Sequence, residues 1–148
     1  MAEASGELEA RAKAIFARQQ IMQTLGVSIA RIAPGEVEFT MPYAAGFTQQ
    51  HGFLHAGTVA TVLDNACGFA AATQTAPGTG VLTVEFKANF LAPAKGENFR
   101  FVGKTVKAGR TITVCEAQAF ARAGADEKLI ATMTATIMAI AGRAGIEE

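Results

Sequence analysis

The sequence predicts an α+β domain in which a curved antiparallel sheet of about six strands wraps round one long central helix. Three observations carry that reading. The run from about residue 57 to 74 is rich in Ala, Val and Leu on every side, the mark of a helix buried all round. From Leu82 onward, strand periodicity replaces helix periodicity. The turns between the later strands are short, which implies antiparallel neighbours. A length of 148 residues suits a single domain over residues 1–148.

Taken in order, residues 6–23 place Leu8, Ala12, Ile15, Phe16 and Ile21 roughly on one stripe, so residues 1–24 form an N-terminal helical segment. Residues 26–32 and 36–41 alternate about Ala33-Pro34-Gly35, a hairpin with turn chemistry at its tip. Residues 42–50 are a polar loop leading into the central helix, 57–74, which Ala76-Pro77-Gly78 ends. In the next strand Leu82, Val84, Phe86, Ala88 and Phe90 alternate with Thr83, Glu85, Lys87 and Asn89, which puts Glu85 on the Thr83 face. Ala92 to Gly96 breaks it, and residues 97–107, 110–122 and 128–141 supply three more strands. Both faces of the last are apolar: Leu129, Met133 and Ile137 on one, Ile130, Met138 and Ile140 on the other. One face can cover the helix. The other needs a second cover, and a symmetric homo-oligomer is the economical one.

Composition removes several function classes. Half the residues are hydrophobic and 18% are charged, too apolar for a disordered chain. Thirteen basic residues balance thirteen acidic ones without a Lys/Arg cluster, so neither nucleic acid nor an anionic membrane is an expected partner. The apolar run carries Asp64, Asn65 and Gln74, which a membrane span tolerates poorly. Glu3, Glu7, Glu9 and Arg11 leave no apolar signal core, and the distant Cys67 and Cys115 read as reduced core residues, so a cytoplasmic protein is expected. His51 and His55 have i, i+4 spacing but precede the helix and lack a third ligand. No metal and no cofactor is expected.

Chemistry concentrates in the central helix. Asp64 is its only charged residue, and no Lys or Arg lies three or four positions away. An ionised carboxylate buried there costs several kcal/mol unless it is paired or hydrogen-bonded. The bland alternative is a structural Asp satisfied by Thr61 or by a neighbouring strand. At the helix start, Gly57-Thr58 offers N–H groups without an intrahelical acceptor, and such a terminus stabilises a negative oxygen. A buried acid with an anion-stabilising helix end is the pair needed to hydrolyse an acyl bond. Gly57 and Asp64, seven residues apart, are separated by roughly 10 Å along a helix, too far to act on one carbonyl. Two antiparallel copies across a twofold axis would place each Asp64 beside the partner's Gly57.

GFTQQHGFLHAGTVATVLDNACGFAA, then LTVEFKANFLAPAKGE and KAGR, resembles the hotdog-fold acyl-CoA thioesterases of the phenylacetic-acid-degradation (PaaI) type. The likeness extends over nearly all of the chain after about residue 25. It implies an acyl-CoA substrate, a dimer or dimer of dimers, and a long helix inside a curved sheet. It also implies that Asp64 activates water or attacks the thioester directly. Ala56 and Gly57 fall at a His-Gly-Gly pattern whose backbone N–H polarises the carbonyl, and His55 fixes that loop. Gln49, or Gln50 one position on, contacts the same carbonyl, and Thr83 orients the water. Phe90 to Lys95 and Lys107-Ala108-Gly109-Arg110 match segments that meet the CoA moiety, where Lys and Arg can reach phosphates. The first glycine of the pattern is Ala56 here. Two competing readings are a hotdog dehydratase of 3-hydroxyacyl thioesters, which needs a histidine working with the acid, and a non-catalytic acyl-CoA sensor.

Overall fold

Alternation in residues 36–42 becomes a strand in which every second side chain is sealed. In the computed structural model, which describes residues 2–148 and their side chains from Ser5 onward, β1 (Ser28–Ala33) and β2 (Glu36–Pro42) form the expected hairpin. Val37, Phe39 and Met41 of β2 are fully buried, and the residues between them are not. Gly35 makes the turn with φ at +75°, a conformation that favours glycine.

The remaining strands are β3 (Gly80–Phe90), β4 (Asn98–Ala108), β5 (Ile112–Ala123) and β6 (Asp126–Ile140). They complete one antiparallel sheet in the order β1-β2-β4-β5-β6-β3. Short turns make hairpins of β4–β5 and β5–β6, as expected. The link from β3 to β4 does not, because β3 pairs with β6 at the far edge. Leu91 and Ala92 N–H both donate to the Ile130 carbonyl, and Leu54 N–H donates to that of Ala94. These bonds carry the Pro93 segment across the end of the sheet.

The central helix is α3 (Ala56–Ala72), starting one residue before the expected 57–74 and ending two before it. It ends early because Thr73 Oγ1 donates to the Ala70 carbonyl and accepts from Gly35 N–H, tying the chain to the β1–β2 turn. α3 packs against strands β2 to β6. Gly103 of β4 makes this approach possible, since a Cβ there would lie 2.3 Å from the Ala66 carbonyl oxygen.

The N-terminal segment is two helices rather than one: α1 (Ala2–Ala17) and α2 (Gln20–Leu25). Met1 of the expected 1–24 lies outside the described residues. Gln19 is extended (φ −84°, ψ 96°), which resets the helical phase. Met22 and Leu25 are therefore buried, and Ile21, expected on the buried stripe, is half exposed. Phe16 of α1 packs with Phe39 and Phe69, their ring centroids 5.4, 5.6 and 5.9 Å apart, which docks α1 beside α3.

β3 departs from its expected alternation at Val84. Thr83 pairs with Ile137 but Glu85 pairs with Thr136, so a bulge shifts the phase by one residue. Phe86, Ala88 and Phe90 share the face of the buried Ala135, Met133 and Ala131, as their even numbering predicted. Upstream of the bulge that face belongs to Val81 and Thr83. Glu85 is therefore opposite Thr83, not beside it, and accepts from Thr136 Oγ1. On the outer face Leu82, Met138 and Ile112 form one cross-strand row and stay 49%, 38% and 44% exposed. Ile130, expected on the same face as Met138 and Ile140, is buried at a second bulge opposite Ala119 and Phe120.

Candidate active site

His55 occupies the N-cap of α3 in an extended conformation, φ −59° and ψ 140°. Its Nδ1 accepts from Gly57 N–H at 2.8 Å, and its carbonyl accepts from Thr58 N–H at 2.9 Å and Val59 N–H at 3.2 Å. The N–H expected to polarise a carbonyl, that of Gly57, is thus already engaged. Ala56 N–H is the donor at this helix end that has no acceptor among the described residues. An imidazole at the cap folds back to the second helical residue and leaves the first one open.

Ala56 borders a cleft of about 500 Å³ together with Gln49, Phe53, Phe90 and Leu91. Gln49 Oε1 accepts from His51 N–H at 2.6 Å and Phe53 N–H at 3.4 Å, which leaves the Nε2 amide as its free donor. Gln50 is exposed and does not border the cleft, so Gln49 has the better position of the two.

Asp64 faces a different cleft, of about 690 Å³, which it shares with Thr83, Asn65, Gly68 and Phe69. Thr83 Oγ1 donates to Asp64 Oδ1 at 2.8 Å. The bulge at Val84 is what aims Thr83 at the helix. Burial raises the Asp64 pKa above the ordinary carboxylate value, and the Thr83 bond offsets part of that rise. Asp64 has no ion-pair partner among the described residues. The carboxylate is held by a neutral donor and kept basic by its surroundings, as suits a proton acceptor. Asn65 Nδ2 is buried with no hydrogen-bond partner among the described residues. Cys67 and Cys115 are free and buried, and burial pushes both thiols up, which disfavours the thiolate form.

One protomer therefore divides the site residues between two clefts, with Ala56 and Asp64 eight residues apart, roughly 12 Å of helix. The five residues expected to meet CoA are divided as well. Phe90 borders the Gln49 cleft, and Lys95 is exposed just beyond it. Lys107 is exposed at the end of β4, and Gly109 and Arg110 are exposed in the β4–β5 turn, which Gly109 N–H closes by donating to the Ile112 carbonyl. That turn lies at the other end of the sheet: Ala108 pairs with Thr113, Thr113 with Ile137, and Ile137 with Thr83. The structure also adds residues that carried no motif. Gly145 to Glu148 border the Asp64 cleft, and the only sequence sign of their fold-back is the pair of glycines at 142 and 145. Among the described residues no three His, Cys, Asp or Glu side chains converge to hold a metal, and no helix is long and apolar enough to cross a membrane.

Comparison with known proteins gives a consistent picture. The profile of the thioesterase superfamily matches residues 51–128, from the loop before α3 into β6. A crystal structure of a thioesterase family protein from Silicibacter pomeroyi is 54% identical, with a TM-score of 0.90 over 91% of this chain and 99% of that one. A Saccharolobus solfataricus protein carrying an esterase name is 33% identical over 97 residues, 66% of this chain and 69% of its own. The PaaI protein from the phenylacetic acid degradation operon of E. coli shares the fold, with a TM-score of 0.84 at 19% identity over 93% of this chain and 96% of that one. The curved six-stranded sheet round α3 is the hotdog fold of these thioesterases.

Proposed function

We propose that this chain, which belongs to the thioesterase superfamily, hydrolyses acyl-CoA thioesters to a free acid and coenzyme A as a homodimer or a dimer of dimers. Thioester hydrolysis goes with the family; the acyl-CoA substrate, the residue roles and the shared site are our reading. The observation that carries it is a half-buried Asp64 with a raised pKa, held by Thr83 and without an ion-pair partner among the described residues.

In this mechanism Asp64 takes a proton from water as the water oxygen attacks the thioester carbonyl carbon. Negative charge develops on the carbonyl oxygen, where the Ala56 N–H and the Gln49 amide of the opposite protomer stabilise it. The C–S bond then breaks, and the thiolate of CoA takes up the proton. Direct attack by Asp64 on the carbonyl is the variant of this scheme that uses the same atoms. β3, an 11-residue strand at the free edge of the sheet, offers the edge along which two copies can meet. Lys95, Lys107 and Arg110 then serve CoA phosphates from both protomers. The reduced, buried cysteines support a cytoplasmic setting.

A dehydratase would need a histidine beside the acid. His55 Nδ1 is bound to Gly57 N–H and His51 is exposed, so neither supports that reading. Thiol release from a panel of acyl-CoAs, with wild type and Asp64→Asn, tests the proposal. The variant is expected to lose about 10²- to 10⁴-fold in kcat with its oligomeric state unchanged. Equal turnover by both proteins would overturn the role of Asp64.

A further inference from the structure

After β6 the chain turns back on itself. Gly142 and Gly145 have φ of +67° and +82°, and the reversal lays residues 145–148 over the start of β3. The seat is built for them: a Cβ on Gly80 would lie 1.7 Å from the Ile146 carbonyl oxygen, so only glycine fits there. Glu148 is clamped at the far side. Its carboxylate pairs with Arg11 Nε at 2.9 Å and accepts from Gly78 N–H at 2.8 Å. Arg11 in turn donates to the carbonyls of Ala72 and Thr75, which close the end of α3. The ion-paired side chains are only 19% and 16% exposed.

This segment stands at the opposite end of the Asp64 cleft from the reacting groups. Gly68 and Ala72 follow Asp64 along one side of α3, and Ile146 borders the cleft beyond them. Eight helical residues from Asp64 to Ala72 make a lane of roughly 12 Å. The three-residue step on β3 from Thr83 back to Gly80 makes roughly 10 Å. We infer that Ile146, held in place by the Gly80 seat and the Glu148 clamp, is the end wall of the acyl pocket and sets the longest acyl group the enzyme accepts. The class that fits is a medium-length chain or a single-ring aryl-acyl group, and long fatty acyl chains meet the wall. This inference rests on the acyl-CoA reading above and deepens it.

The test is a ladder of butanoyl-, octanoyl-, phenylacetyl- and hexadecanoyl-CoA, read as kcat/KM by thiol release and as affinity by calorimetry. Wild type, Ile146→Gly and Glu148→Ala are compared. Ile146→Gly is expected to raise the hexadecanoyl-to-octanoyl ratio about tenfold, the worth of one or two methylenes newly accommodated. Glu148→Ala is expected to move the ratio the same way by less, because it loosens the wall without removing it. Ladders that superpose for all three proteins, with thiol released, overturn the wall and leave the thioesterase reading standing. Absence of thiol release from every substrate in wild type overturns the thioesterase reading. The calorimetric ladder then decides the wall by the same ratio.

Discussion

The two clefts of one protomer are built from opposite chemistry. The Gln49–Ala56 cleft presents two N–H donors and apolar walls, with no carboxylate bordering it among the described residues. The Asp64–Thr83 cleft presents a carboxylate and the hydroxyl bonded to it. Each is half of what hydrolysis needs: one can stabilise an oxyanion and the other can activate water. In the proposed mechanism their separation along α3 makes the paired protomer the catalytic unit, because a rigid helix cannot bring its own ends together.

The largest effect is expected from Ala56→Pro. Proline at the first helical position removes only the N–H, and the extended His55 before it already suits a following proline. The loss in kcat is expected at about 10²- to 10³-fold, as for removal of an oxyanion donor. Refolding Ala56→Pro together with Asp64→Asn should then restore about a quarter of wild-type activity, since half the dimers are mixed and each carries one intact site. No recovery in the mixture, with mixed dimers demonstrated, would place both groups in the same chain's site.

Thr83→Val sharpens the other cleft. The hydroxyl bond lowers the Asp64 pKa, so its loss should raise that pKa further. Because the ionised form is the base, the acid limb of the pH–rate profile should move to higher pH, with a fall of about tenfold in kcat below the limb. An unmoved limb would mean that another group controls it.

The smallest expected effect lies at a residue that borders neither cleft. Glu127 bridges Arg100 and Arg122, and these bonds lower its pKa from the ordinary 4.5 to about 2. A depressed carboxylate stabilises the fold above its unfolded pKa and loses that contribution as pH falls from about 4.5 towards 2. Glu127→Gln should cost about 1 kcal/mol by denaturant unfolding at neutral pH, with the difference vanishing in acid and kcat/KM unchanged.

Much of this was legible from the chain alone where a local rule had no competitor. The hairpin about Gly35, the even-phase face from Phe86 to Phe90 and the lone charge in the apolar helix follow from turn chemistry, period and burial cost. Asp64 stood out because nothing near it in sequence could offset its charge. Other features were decided by contacts between distant residues. The bulge at Val84 reversed the face of Thr83 and separated it from Glu85, and no residue type at that point announces a bulge. The break at Gln19 exchanged Ile21 for Met22 in the core. At the helix start, the chain shows three adjacent residues with N–H groups, and spacing cannot rank them.

The amino-acid sequence by itself determined the fold class and the presence of an acid opposite a helix terminus, because hydrophobic period and uncompensated charge are properties of neighbouring residues. Tertiary structure decided which N–H is free and which hydroxyl holds Asp64. It also brought the segment Gly145–Glu148 to the border of the Asp64 cleft. Those choices depend on a ring folding back at a cap, on a strand's phase against its neighbour, and on a carbonyl finding room only above Gly80.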